Sequence, residues 1–258
     1  MVYKSYFPSF LMGFWGIVHR VVTESDIVLL VLDVRMPELS RNKDLEELIA
    51  RYYKQLILVF NKIDLVSSKY LDFVRHQYRD AFFVSGARNI GINELKRDLL
   101  ISAKRMKIKD PRIGVVGYPN VGKSAIINAL AKRARAKVSA RAGTTRGIQW
   151  IRIGDLKVLD SPGVIPFVDD EIKLGVLGSK NPEKLKNPEK VAAAIIKILL
   201  DYDKSILENC YDIKISDLDL IFEDIAKKRG FLLKGGVGDE RRAIFAVIKD
   251  WQDGKLRL

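Results

Sequence analysis

Gly117-Tyr118-Pro119-Asn120-Val121-Gly122-Lys123-Ser124 follows the apolar run Arg112-Ile113-Gly114-Val115-Val116 and precedes a helical stretch over 124–132. A buried strand, a glycine-bearing turn and a helix N-terminus in that order make a phosphate-binding loop, and they decide for an α/β fold. Gly117 and Gly122 let backbone N–H groups curl around phosphate oxygens without a Cβ clash. Lys123 supplies a point charge to the β- and γ-phosphates, and Ser124 offers a hydroxyl to Mg²⁺. The candidate contacts on this loop are Asn120, Val121, Gly122, Lys123 and Ser124.

Upstream, the apolar run Leu56-Ile57-Leu58-Val59-Phe60 ends on Asn61-Lys62-Ile63-Asp64. The polar residues therefore sit at the carboxyl end of a buried strand, where open α/β sheets bind ligands. Asp64 can accept hydrogen bonds from guanine N1–H and N2–H₂, which adenine does not present. Lys62 can lie over the base plane, and Asn61 can bridge to the phosphate loop. Ser85-Gly86-Ala87 follows the run 81–84 and can close the base pocket with backbone N–H groups. Downstream, Leu156-Lys157-Val158-Leu159 leads into Asp160-Ser161-Pro162-Gly163. Asp160 is placed to hold Mg²⁺ through water, and Gly163 to give its N–H to a γ-phosphate. In Ala142-Gly143-Thr144-Thr145-Arg146-Gly147, Thr144 or Thr145 can close on Mg²⁺, with Thr145 preferred. A Ser-Gly-Ala turn or a Thr-Thr pair alone is ordinary loop. Together these segments fill every slot of a GTPase, with Lys123, Thr145 and Gly163 as the candidate catalytic groups. The guanine motif precedes the phosphate loop, so the set is circularly permuted.

The chain resembles the circularly permuted GTPases of the ribosome-biogenesis type. Asp33-Val34-Arg35-Met36-Pro37 with Ser40-Arg41-Asn42 is similar to that family's Asp-Ala-Arg-x-Pro…Ser-Arg-Asn signature. Tyr6-Phe7-Pro8-Ser9 resembles its Trp-Phe-Pro-Gly opening, and Asp253-Gly254-Lys255-Leu256 its tail. The resemblance implies a P-loop GTPase domain followed by a small all-helical domain, and GTP/GDP with Mg²⁺ as cofactors. It also implies a role in large-subunit assembly, with ribosomal RNA or a ribosomal particle as partner. Two positions depart. Phe10 stands where the family carries a histidine, and Val164 follows Gly163 where Ras-like enzymes place a water-orienting glutamine. Neither His19 nor His76 matches the motif, and His19 reads as a partly buried helix residue. Asn120 stands where related GTPases place an asparagine that helps bind K⁺; it either holds K⁺ or only stabilises the tight loop after Pro119. A slow GTPase and a GTP-sensing RNA- or protein-binding switch with negligible turnover both remain open.

Composition fits. The 258 residues are 48 % apolar, enough for one α/β domain and a smaller second one. One cysteine, Cys210, excludes a disulfide scaffold and a cysteine-rich metal site. No apolar stretch reaches the ~20 residues of a membrane span. Apolar residues at 10, 14, 18 and 21 have helical spacing and predict a helix packed on the G domain, with a membrane-surface helix as the alternative. A cytoplasmic location is expected. The net charge of +13 points to a polyanionic partner. Lys132, Arg133, Arg135, Lys137, Arg141, Arg146 and Arg152 form a run with no acidic residue between them, across the Thr144–Thr145 segment; a solvated basic loop is the alternative. The basic stretch 104–112 reads as a solvated linker.

The expected organisation is a permuted GTP-binding domain over 1–177 and a helical domain over 178–258, a candidate RNA- or ribosome-binding part. Strands are expected near 27–32, 56–60, 81–84, 112–116, 148–153 and 156–160, the last two as a hairpin across Gly154-Asp155. Helices are expected at 188–200, 216–229 and 239–252, the last capped by Asp239.

Overall fold

The structure is a computed structural model that describes residues 9–133, 150–161, 163 and 170–258. The chain packs as two units. One comprises the described residues of 1–64 and 72–168, the other 65–71 and 169–258.

The first unit is built on a six-stranded sheet. Its strands are β1 (Ile27–Asp33), β2 (Gln55–Asn61), β3 (Phe82–Phe83), β4 (Arg112–Val116), β5 (Trp150–Ile153) and β6 (Leu156–Asp160), in the order β3-β2-β1-β4-β6-β5. Every pairing is parallel except β5 with β6, which is the expected antiparallel hairpin. Helices α1 (Ser9–Glu24), α2 (Pro37–Ser40), α3 (Lys43–Arg51), α5 (Ile92–Arg105) and α6 (Lys123–Arg133) belong to this unit, as does α4 (Ser68–Gln77) from residue 72 on. All seven residues of β1 are buried. That is why it reads as an unbroken apolar run: a central parallel strand is covered on both faces.

β1 leads on to β2 and β3 on one side, whereas β4 leads to β6 and β5 on the other. The order reverses between β1 and β4, and ligands of open α/β sheets bind outside the strand ends at such a point. Helix α1 covers β4. Val18, Val21 and Val22 are fully buried, and a Cβ on Gly114 would come within 2.4 Å of Ser25 Oγ, so the glycine is what lets helix and strand approach. His19 faces solvent instead of being partly buried; its Nε2 lies 2.6 Å from Tyr52 Oη.

The second unit holds α7 (Glu171–Val176), α8 (Pro188–Tyr202), α9 (Ser205–Tyr211), α10 (Ile221–Lys228) and α11 (Glu240–Gln252). Val191, Ile195 and Leu199 of α8 are buried, as are Ala243, Val247 and Trp251 of α11; Trp251 Nε1 donates to Val176 O at 2.9 Å. Asp239 caps α11 as expected, accepting the Arg242 N–H at 3.1 Å. Two expectations are corrected. Helix α9 was not anticipated: it is only seven residues long and starts where Asp203 Oδ1 accepts the Ser205 N–H at 2.8 Å. The helix expected over 216–229 begins only at Ile221. Asp217 Oδ1 accepts the Asp219 N–H at 3.0 Å, an Asx turn that competes with helix there. Segment 65–71 is tied to the chain's end, where the Leu258 N–H donates to Leu65 O at 3.0 Å.

Candidate functional site

The carboxyl ends of the parallel strands carry most of the buried polar side chains of the sheet unit. Asp33 ends β1, Asn61 ends β2, Ser85 follows β3, Lys123 follows the β4 loop and Ser161 follows β6. Burying a polar side chain is costly unless it is hydrogen-bonded, so each partner is informative.

Asn61 is 3 % exposed and uses both ends of its amide. Its Nδ2 donates to Val121 O at 2.8 Å, and its Oδ1 accepts the Gly86 N–H at 3.0 Å. One side chain thus staples the end of β2 to the phosphate loop and to the Ser85-Gly86 turn. The packing leaves no slack. A Cβ on Gly122, whose φ is +96°, would lie 2.1 Å from Asn61 Nδ2, and one on Gly86 would lie 2.8 Å from the backbone of Ala125 and Ile126. Gly117, at φ +144°, approaches Val31 O equally closely, at 2.5 Å for an added Cβ. Ser85 is buried, and its Oγ accepts the Arg88 N–H at 3.0 Å.

Lys123 is 7 % exposed; its Nζ donates to Gly117 O at 3.2 Å and Tyr118 O at 2.8 Å. The ammonium is therefore held by the loop's own carbonyls at the mouth formed by the first turn of α6. Ser124 stands in that turn, and Asn120 precedes it in a left-handed conformation, φ +62°. Gly163 comes against the same loop: a Cβ there would meet Pro119 Cα at 2.5 Å and N at 2.6 Å. Only glycine permits that approach, which brings the Gly163 backbone to the phosphate loop. Ser161, which the motif reading passed over, is 3 % exposed, and its Oγ meets no hydrogen-bond partner among the described residues. A buried polar atom two residues before Gly163 was the signal that sequence spacing could not give.

Beyond the end of β2, Asp64 sits half-buried in a single 3₁₀ turn, Ile63–Leu65, and makes no hydrogen bond or ion pair among the described residues. A carboxylate so placed can accept two parallel N–H donors. Lys62, at φ +68°, instead sends its Nζ to Asp33 Oδ2 at 2.8 Å. Asp33 is fully buried, and its Oδ2 also accepts from Arg35 Nη2 at 2.8 Å. Burial pushes the Asp33 carboxyl up, but the Arg35 charge and then the Lys62 charge outweigh it and hold the group well below the usual carboxylate range.

The family signature residues outside the loops have structural partners. Ser40 Oγ accepts the Asp33 N–H at 3.2 Å and donates to Met36 O at 2.8 Å. Asn42 caps α3 by accepting the Leu45 N–H at 3.2 Å.

Of the residues expected to hold Mg²⁺, which are Ser124, Asp160 and Thr145, the structure describes Ser124 and the backbone of Asp160. The donor set fits a hard cation, being one hydroxyl at a helix N-terminus and one carboxylate position at a strand end beside it. The backbone of Asp160 ends β6, which pairs with β4 ahead of the loop; its side chain lies outside the described residues. So do Thr144, Thr145, Val164, the Phe10 side chain and the basic run from 134 to 149. Lys132 and Arg152, at the ends of that run, are exposed.

Comparison with known proteins gives the family. Residues 112–231 match the family described as 50S ribosome-binding GTPase, and residues 15–167 match the RsgA GTPase family. The chain is 39 % identical over 243 residues to an uncharacterized GTP-binding protein of Methanocaldococcus jannaschii, covering 93 % of this chain and 65 % of that protein. It is 31 % identical to ribosome biogenesis GTPase A of Priestia megaterium, covering 92 % of this chain and 90 % of the relative. A GDP-bound structure of YlqF from T. maritima superposes with a TM-score of 0.61 at 24 % identity, over 93 % of this chain and 95 % of that one. Several other curated relatives are longer: the chain spans 59 % of GTPase grn1 of Schizosaccharomyces pombe and 54 % of nuclear GTP-binding protein NUG1 of Saccharomyces cerevisiae. The chain belongs to the circularly permuted GTPases of the ribosome-biogenesis family. Membership implies a guanine nucleotide with Mg²⁺ as the bound group.

Proposed function

We propose that this protein is a GTPase, slow on its own, whose nucleotide state governs its hold on an assembling large ribosomal particle. The observation that carries the reading is the Asn61 staple. It joins the phosphate loop, the Asn-Lys-x-Asp turn and the Ser-Gly turn into one cradle at the carboxyl edge of the sheet.

In this reading Asp64 accepts the guanine N1–H and N2–H₂. Lys62 lies over the base, and Ser85 and Gly86 close the pocket. The backbone of Asn120, Val121 and Gly122 cradles the phosphates, and Lys123 leaves the loop carbonyls to neutralise charge on the β- and γ-oxygens. Gly163 gives its N–H to the γ-phosphate, and Thr145 closes over it. Mg²⁺, held by Ser124, Thr145 and Asp160, would supply further charge neutralisation. Stabilising charge that grows in the transition state is the main catalytic term in phosphoryl transfer. Val164 and Phe10 offer no side chain to orient water, so intrinsic turnover is slow and a partner or K⁺ beside Asn120 accelerates it. The same two residues favour, as a second reading, a GTP-sensing switch with negligible turnover.

The partner reading rests on the net charge of +13 and on the names of the relatives. The helical domain and the basic run are the RNA- or particle-facing parts, and the protein acts in the cytoplasm. No helix among the described residues is long and apolar enough to cross a membrane. The test measures phosphate release with and without ribosomal particles, and co-sedimentation with large subunits and their precursors. Particle-stimulated turnover, and tighter sedimentation with a GTP analogue than with GDP that weakens as salt rises, are expected. Sedimentation that depends on nucleotide without any turnover selects the switch; sedimentation indifferent to nucleotide overturns both.

A further inference from the structure

Asp33 and Arg35 belong to no nucleotide motif, yet both are buried at the ligand edge of the sheet. The parallel register places Asp33 directly opposite Asn61, so the next residue along β2, Lys62, falls within reach of the Asp33 carboxylate. All the acceptor capacity of that carboxylate is committed. Its Oδ1 takes the Arg35 backbone N–H and Arg35 Nε, each at 3.1 Å, and its Oδ2 takes Arg35 Nη2 and Lys62 Nζ, each at 2.8 Å.

The backbone around it is equally fixed. Met36 N–H donates to Asp33 O at 3.0 Å, and Val34 N–H to Asn61 O at 3.0 Å. Lys62 pays for its place with a left-handed backbone, φ +68°, which a non-glycine residue holds only when its surroundings enforce it. The lysine is not held through the phosphate loop, whose carbonyls bind Lys123. A buried ion pair is weak in stabilising a fold, since apolar residues of like volume do as well or better. Its presence beside the one half-open cation of the base turn calls for another reason; the Lys62 side chain is 18 % exposed where those of Arg35 and Asp33 are 1 %.

We infer that Asp33 is a positioning residue for guanine-nucleotide binding: it anchors the Lys62 ammonium so that the lysine stem is held ready across the base plane. The inference deepens the proposed function and rests on the guanine reading of Asn61-Lys62-Ile63-Asp64. Asp33 acts through Lys62 and touches no nucleotide. Its contribution is preorganisation: a lysine already fixed loses less rotamer freedom when the base arrives. The stem lies over the ring face and not the edge, so the benefit is blind to the N2 amino group.

The test is a double-mutant cycle on GDP affinity in the full chain, with Asp33→Asn, Lys62→Met and the pair, alongside circular dichroism to count the folded fraction. Asp33→Asn is expected to weaken GDP about tenfold, the worth of one charge-assisted hydrogen bond. In the Lys62→Met background the same change is expected to cost less than about twofold, because the group it acts through is gone. IDP is expected to lose as much as GDP in each case. If Asp33→Asn fails to fold because Arg35 is left uncompensated, Asp33→Asn with Arg35→Met removes both charges and takes its place in the cycle.

Arg35→Lys alone, which keeps a cation beside Asp33 and so keeps the Asp33–Lys62 pair, is expected to lower the melting midpoint with at most about a threefold loss of GDP affinity. Additive losses from Asp33 and Lys62, or an Arg35→Lys variant that loses as much GDP affinity as Asp33→Asn, would overturn the inference and leave the cluster a plain structural keystone. Those results leave the guanine reading standing. That reading fails separately, and takes the inference with it, if the unmutated protein does not prefer GDP to ADP.

Discussion

The two units bury polar groups differently. Among the described residues, the sheet unit concentrates Asp33, Arg35, Asn61, Ser85, Lys123 and Ser161 at one edge, whereas the helical unit's one buried charge is Asp250. Asp250 is a closed arrangement: Arg229 donates at 2.8 Å, Lys255 at 2.7 Å and Tyr211 at 3.3 Å. Burial, and then the Asp250 charge, push the Tyr211 hydroxyl far above its usual range, so it stays a neutral donor. At the sheet edge the buried groups face loops whose backbone is strained or tightly approached, at Gly117, Gly122, Asn120 and Lys62. A lone satisfied charge between helices serves packing. A row of polar groups along the strand ends, with Asp64 left unpartnered beside it among the described residues, serves a ligand.

The contrast can be broken most severely at Asn61. Asn61→Ala removes hydrogen bonds to two loops at once and is expected to weaken GDP at least about 100-fold in a fluorescent-nucleotide titration. A loss under fivefold would mean that the loops hold their shape without it. Asp64→Asn comes next. It exchanges an acceptor for a donor opposite the N2 amino group, so GDP affinity is expected to fall about 30-fold while XDP, with an oxygen there, gains. Equal losses for both nucleotides would take Asp64 out of base recognition.

The third variant tests the other half of the comparison. Asp250→Asn is expected to cost about 1–2 kcal/mol of stability in denaturant melts, because its cationic partners are partly exposed and can rehydrate. GDP affinity should not change; a matching loss of affinity would show that Asp250 is more than a packing group.

The smallest effect is expected in acid. The Asp33 carboxyl is depressed in the folded protein, so its contribution is fully present above the unfolded value of about 3.9 and is lost as pH falls below it. Stability measured without nucleotide should therefore not vary with pH on account of Asp33 between pH 5 and pH 8, and Asp33→Asn should flatten the acid limb below about pH 4. An acid limb identical in the variant would show that the carboxylate is not charged in the fold.

Much of the sheet unit was legible in the sequence for one physical reason. A parallel strand covered on both faces must be a continuous apolar run, and the polar residue that ends it marks the ligand edge. Leu56 to Phe60 stopping at Asn61, and Arg112 to Val116 stopping at Gly117, both show this. The Asp33–Lys62 pair was not legible. It joins residues 29 apart through strand register, and neither residue's neighbours in sequence reveal it. The Ser161 hydroxyl was missed likewise, because burial of a single atom leaves no periodic trace. In the helical unit, α9 is too short for a clear period, and the turn at Asp217 cut an amphipathic pattern that by itself read on from 216. His19 shows the opposite error: an apolar setting in sequence placed it inward, yet the stripe that is buried runs through Val18, Val21 and Val22.

The central claim, that the edge formed by Asn61, Asp64 and the 117–124 loop reads guanine and holds phosphate, is tested most directly by competition. A fluorescent GDP analogue bound to the unmutated protein with Mg²⁺ is titrated with unlabelled GTP, GDP and ATP. GTP and GDP are expected to displace it at comparable concentrations, with ATP failing at about 1,000-fold excess, since adenine leaves the Asp64 carboxylate desolvated and unpaired. Displacement by ATP at the same concentration as GTP would contradict the account.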